Sequence, residues 1–190
     1  MRKIEKSYAD PLSLVWMRAA EQMGMRIERS AEVNASWDGN GVLTIGTPET
    51  LDPDDCLAQM ILHEVCHALC EGLESLHRPD WGLDNFDPTK KVHEHACLRL
   101  QAALADQHGM RSFFAATTMF RSYYDRLPAD PLAPGDDPAI AQALVAWERA
   151  RHGPWADSLL EALERTAQIA RALHGVTTDD SLWHAQGAAD

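Results

Sequence analysis

Residues 57–72 read Leu57-Ala58-Gln59-Met60-Ile61-Leu62-His63-Glu64-Val65-Cys66-His67-Ala68-Leu69-Cys70-Glu71-Gly72. Upstream, Asp52-Pro53 has the form of a helix cap followed by proline at the first helical position, and Gly72 is a stop signal. The spacing therefore predicts a helix of about five turns from Asp52-Pro53 to Gly72. With His63 set at zero and about 100° per residue, His67 falls near 40°, Cys56 near 20°, Met60 near 60° and Cys70 near 340°. Leu57, Ala58, Ile61, Leu62, Val65, Ala68 and Leu69 spread over roughly 120–260°. The helix thus has an apolar face to anchor it and a histidine-bearing face opposite. The two imidazoles lie one turn apart, where both can bind a single Zn²⁺, and Glu64 lies on the flank of that face, where a general base for an activated water belongs.

The signals on either side complete a small fold. Asp10-Pro11 repeats the cap-plus-proline pattern, and Leu12, Val15, Trp16, Ala19, Ala20 and Met23 recur at helical spacing up to Gly24. Segments around Ile27 and Val33 and the run Val42-Leu43-Thr44-Ile45 read as strands. Asp38-Gly39-Asn40-Gly41 is a hairpin signal between the last two. Residues 73–90 form a Pro-, Gly-, Asp- and Asn-rich loop containing Trp81 and Phe86. Helices are expected at about 91–108 and 112–126. A proline-rich linker follows at 127–138, and then a helical hairpin at about 139–151 and 155–173, broken at Gly153-Pro154. The fold class is α+β: mostly helical, with a small antiparallel sheet ahead of the histidine-bearing helix and a C-terminal helical hairpin. The domain division is 1–126, with the metal-binding residues, then the 127–138 linker, then 139–190 as hairpin and tail.

Two histidines do not complete a zinc site. A third protein ligand is needed, with the fourth position open for water. His77 lies in the loop, and His93-Glu94-His95 opens the next long helix. His93 shares a stripe with Cys97, Leu100 and Leu104. Glu94 lies about 100° around, beside Leu98, Gln101 and Ala105, and His95 points farthest from the main stripe. The residues alone leave the choice among these open.

A strand, a short turn, a helix carrying His63-Glu64-Val65-Cys66-His67 and a glutamate on a following helix resemble the minimal zincin metallopeptidase domain of the glutamate-ligand type. The chain is similar in this to the compact cytoplasmic ImmA/IrrE-like peptidases over roughly residues 10–110. The resemblance implies Zn²⁺ as cofactor, His63, His67 and Glu94 as its ligands, Glu64 as general base, and a peptide or protein as substrate. It also implies that Val42–Ile45 is an edge strand able to pair with an extended peptide, and that a Tyr, His or Arg faces the zinc as a transition-state donor, for which Tyr123, Tyr124 and His108 are available. Two features depart from the pattern. Glu94 is flanked by histidines, and Ala96-Cys97-Leu98-Arg99-Leu100 stands where an alanine–phenylalanine pair is usual.

Composition narrows the partners. The chain has 190 residues, 45% hydrophobic and 24% charged, with a net charge of −12. That charge argues against nucleic acid as a partner. Neither a signal peptide nor a bilayer-spanning run is found, so the expected location is the cytoplasm and the expected state of Cys56, Cys66, Cys70 and Cys97 is the reduced thiol. Free cysteines behave as small apolar residues, and Cys66, Cys70 and Cys97 read as structural thiols between packed helices. A Cys70 or Cys97 ligand would instead close the zinc site and make it structural. The two readings of function are a zinc metallopeptidase, a hydrolase, and a non-catalytic zincin-fold binding or regulatory protein with a structural zinc.

Overall fold

The computed structural model describes residues 5–83, 91–115 and 117–184. The fold is α+β and mostly helical, as the periodicities predict. Its order is α1 (Pro11–Gln22), β1 (Arg26–Ser30), β2 (Ala35–Trp37), β3 (Val42–Gly46), α2 (Leu57–Glu71), α3 (Lys91–Asp106), α4 (Arg121–Tyr124), α5 (Ala139–His152) and α6 (Ala156–Ala172). No described helix is long and apolar enough to cross a membrane. Phe86 and the rest of 84–90 lie outside the described residues.

Helix α1 starts where the sequence says: the Asp10 carboxylate accepts the Ser13 N–H at 2.7 Å, satisfying one of the free donors of the first turn. Helix α2 starts later than Asp52-Pro53 suggests. The Gln59 side chain accepts the N–H of Cys56 and donates to the carbonyls of Asp54 at 3.0 Å and Phe113 at 2.6 Å. A buried amide thus fixes the first turn at Leu57 and leaves 52–56 as a turn.

The sheet order is β1-β3-β2, with β1 parallel and β2 antiparallel to β3. The Asp38–Gly41 hairpin joins β2 and β3 as expected, but β1 makes the sheet mixed rather than wholly antiparallel. Val42–Ile45 is also not an edge, which corrects the role expected for it. Leu43 and Ile45 are fully buried, and the most apolar strand takes the centre, where a neighbour covers each side. The more polar Arg26–Ser30 and the short Ala35–Trp37 form the edges.

The helix expected at 112–126 is reduced to the single turn Arg121–Tyr124. The Thr117 N–H goes to the Asp55 carboxylate at 2.9 Å, and the Thr118 hydroxyl takes the Phe120 N–H at 2.9 Å. Side chains therefore satisfy backbone donors that a continuous helix would use, and the β-branched pair disfavours the helical path.

One apolar core runs from Leu12 on α1 through α2, α3 and α5 to Ala170 on α6. The Trp16 indole donates to the buried Thr166 hydroxyl at 2.9 Å, pinning α1 to α6. Arg149 of α5 donates to the Leu69 and Cys70 carbonyls at 2.8 and 3.2 Å. A cation thus meets the negative end of α2 and satisfies acceptors that the helix cannot. These contacts set α2 and α3 side by side under α5.

Candidate metal centre

On α2 the histidine-bearing face is covered by α3. His63 and His67 are only 6% and 5% exposed. The helices run antiparallel along this seam, so successive turns of α2 meet α3 in the order Gln101 and Cys97, then Glu94, then His93. His63 Nε2 and His67 Nε2 stand 3.1 Å apart, with their rings nearly perpendicular at 88°. The Glu94 carboxylate closes the triangle, one oxygen 3.1 Å from His67 Nε2 and the other 3.6 Å from His63 Nε2.

These separations, 3.1–3.6 Å, bracket those expected around a tetrahedral ion. Two ligand atoms bound at 2.0–2.2 Å on such an ion are separated by roughly 3.3–3.5 Å, and nitrogen and carboxylate oxygen are ordinary zinc donors. His67 Nδ1 is buried and has no hydrogen-bond partner among the described residues, so its Nε2 is the atom that carries the ring's interactions.

The charges are set by proximity. Burial opposes the charge on His67, but the Glu94 carboxylate overrides it and raises the imidazole to about 9. Burial likewise opposes the charge on Glu94, and His67 and His63 hold it down to about 2. Without a cation, His67 and Glu94 form a buried ion pair in the place an ion would take.

A second trio, His63, His67 and Cys97, also brings one donor atom each within 4.8 Å of one another. The Cys97 sulfur, however, lies 3.7 Å from His63 Nδ1, the far side of the ring from Glu94, and its thiol donates to the His63 carbonyl at 3.4 Å. Burial also pushes the Cys97 thiol well above its ordinary range. The two sets differ in the side of the His63 ring they use: Glu94 stands on the Nε2 side, with one oxygen near each histidine, and Cys97 on the Nδ1 side.

Glu64 sits half-buried beside this trio. Its carboxylate accepts the Trp81 indole N–H at 3.0 Å. Trp81 stacks on Trp37 of the edge strand β2, with centroids 4.7 Å apart and planes 12° apart. The Trp37 backbone N–H goes to the Asp80 carboxylate at 2.9 Å, and its indole N–H to the Leu76 carbonyl at 2.9 Å. Asp80 and Trp81 both have positive φ, at 45° and 58°, a conformation that costs non-glycine residues on the order of 1–3 kcal/mol each. The segment 76–82 also lies hard against the β2–β3 turn: a Cβ on Gly39 would sit 2.9 Å from the Pro79 nitrogen. Loop 76–82 is thus held over β2 and against Glu64.

The remaining sequence candidates separate cleanly. His93, on the stripe of Cys97, Leu100 and Leu104, is half-exposed and pairs with Glu71 at 2.6 Å, with Gln142 of α5 donating to the same Glu71 oxygen at 2.9 Å. His95 stacks on Tyr123 at 3.5 Å, away from the trio. His77 is exposed. The three suggested donors are engaged elsewhere: Tyr123 donates to Asp137 at 2.8 Å, Tyr124 to the Arg111 carbonyl at 2.8 Å, and His108 pairs with Glu164 at 3.5 Å.

Sequence reasoning passed over Gln101, whose buried amide oxygen lies 2.9 Å from His63 Nδ1, and over the Glu71–His93–Gln142 cluster. A signal for each was present. Gln101 lies two turns beyond Glu94 on the same stripe, and Glu71 one turn beyond His67 on theirs. No known protein family, curated protein or solved structure matches the chain.

Proposed function

We propose that the chain is a zinc-dependent metallopeptidase, hydrolysing a peptide or protein substrate, with His63, His67 and Glu94 as the ligands and Glu64 as general base. The observation that carries the reading is the convergence of two imidazole Nε2 atoms and one carboxylate within 3.1–3.6 Å, beside a glutamate on the same turn of α2. Zn²⁺ bound there would supply an acidified water and a Lewis acid for the scissile carbonyl. Glu64 takes the proton of the attacking water and returns it to the leaving amine. The Trp81 indole holds the Glu64 carboxylate in one orientation.

One observation favours the second reading, a structural zinc in a binding or regulatory protein: Cys97 lies close enough to join the two histidines. Glu64 discriminates the two, because a closed structural site has no use for a base there. The Glu64→Gln variant is expected to keep one zinc per chain and to lose roughly 10²–10⁴-fold in kcat on a peptide that the wild type cleaves. Wild-type protein carrying zinc but cleaving nothing in a broad peptide panel, or an unimpaired Glu64→Gln, overturns the peptidase reading.

A further inference from the structure

We infer that Gln101 is a positioning residue that decides which nitrogen of His63 is offered to the ion, and through that choice selects Glu94 over Cys97 as the third ligand. The inference rests on the metal-binding reading of the same site and adds to it the element that sets the ligand choice.

The argument starts from a carbonyl. The Phe114 carbonyl can only accept a hydrogen bond, and the Gln101 side-chain amide donates its N–H to it. The other end of that amide, Oε1, can then only accept. It faces His63 Nδ1 at 2.9 Å. His63 Nδ1 must therefore carry the ring proton, and His63 Nε2 is left with its lone pair exposed. Gln101 is fully buried, and water does not compete for this bond. Phe114 is itself fixed, packed edge-on against Trp16 at 5.5 Å and Phe113 at 5.0 Å. The orientation of a ligand is thus wired through α3 into the aromatic core.

The two candidate trios use opposite sides of the His63 ring. Glu94 approaches Nε2, at 3.6 Å. Cys97 approaches Nδ1, at 3.7 Å. With Nδ1 protonated and bonded to Gln101, the ring has no lone pair on the Cys97 side, and the thiol keeps its own proton on the His63 carbonyl. With Nε2 bare, the lone pair points at the space shared with His67 Nε2 and the Glu94 carboxylate. His67 has no such partner among the described residues, where its Nδ1 is unpaired. The orientation of the pair therefore rests on His63, and that of His63 on Gln101. An outer-shell acceptor of this kind typically changes metal affinity by roughly 10–100-fold when lost.

Two measurements test this on the full chain. Long-range ¹H–¹⁵N spectra of the metal-free protein, with the His63 signal assigned by its loss in His63→Gln, report the tautomer. The expected result is Nδ1–H in the wild type, kept in Gln101→Glu, which still offers an acceptor, and lost in Gln101→Leu. Titration with Co²⁺ as the probe reports the ligands. Wild type is expected to show no thiolate-to-cobalt charge-transfer band. Gln101→Leu is expected to bind Co²⁺ roughly 10–100-fold more weakly, with recovery in Gln101→Glu. His63 found as Nε2–H in the wild type overturns the inference. So does a wild-type thiolate band that disappears in Cys97→Ser, or wild-type cobalt affinity in Gln101→Leu. Should the wild type bind no cobalt at all, the metal reading and the ligand selection both fall. An Nδ1–H tautomer that depends on Gln101 would then locate the failure in the metal reading and not in the hydrogen-bond wiring.

Discussion

Glu94 and Cys97 stand one turn apart on α3, and both reach towards His63. What separates them is direction. The carboxylate reaches the space between two Nε2 atoms, while the thiol reaches the back of one ring and a backbone carbonyl. A ligand bond lost outright should therefore cost more than an outer-shell contact. Glu94→Ala is expected to weaken zinc binding by more than roughly 100-fold, the upper end of the range for outer-shell partners. Cys97→Ser should stay within roughly tenfold of wild type. Competition with a chromophoric chelator measures both, and full affinity in Glu94→Ala would remove Glu94 from the ligand set. Trp81 shows the same dependence on direction at Glu64: its indole N–H, and not merely its bulk, meets the carboxylate.

At the scale of elements, the contact between α2 and α3 is electrostatic as well as apolar, and its pH dependence has a definite sign. His67 is raised from 6.5 to about 9 in the fold. Its contribution is whole below pH 6.5 and is lost as the pH climbs through 9. Glu94 is lowered from 4.5 to about 2, and its contribution is whole above pH 4.5 and lost as the pH falls through 2. The two losses are one interaction met from its two sides and are not summed. The metal-free protein is expected to hold α2 to α3 best between pH 4.5 and 6.5, and to lose on the order of a few kcal/mol on going to alkaline pH. Thermal unfolding in chelator across pH 5–10 checks this. Glu94→Gln should flatten the alkaline fall in Tm, and an unchanged fall would show that another group carries it. The strap at 76–82 belongs to the same scale. It joins the edge strand β2 to Glu64 through Asp80 and Trp81, at the cost of two left-handed residues.

At the scale of the whole molecule, the C-terminal helices are built into the core. Helix α5 packs on both α2 and α3, Arg149 caps the last turn of α2, and Gln142 joins Glu71 and His93. The core is continuous across the proline-rich 127–138 segment, where Arg99 donates to the Pro131 carbonyl and pairs with Asp137 at 3.1 Å. A chain ending at residue 138 would leave buried faces of α1, α2 and α3 open to water. It is expected to show no cooperative thermal transition by circular dichroism. A cooperative transition in that fragment would mean that residues 139–190 form a separable unit.

The sequence by itself determined the elements that local chemistry controls. Asp10 caps α1, the apolar stripe of 57–69 makes a buried helix, Asp38–Gly41 turns a hairpin, and His63 and His67 fall on one face, because each depends on neighbours within a few residues. The tertiary structure decided the rest. Which of His93, Glu94 and His95 meets the histidines depends on the rotation of α3 against α2. That rotation is set by burial on two sides of α3, which a single amphipathic stripe does not encode. The lateral order of the strands, with Val42–Gly46 central, depends on which strand needs cover on both edges. The loss of a helix at 112–126 depends on Asp55, more than fifty residues away. The tautomer of His63 depends on a glutamine whose role follows only from the carbonyl of Phe114 behind it.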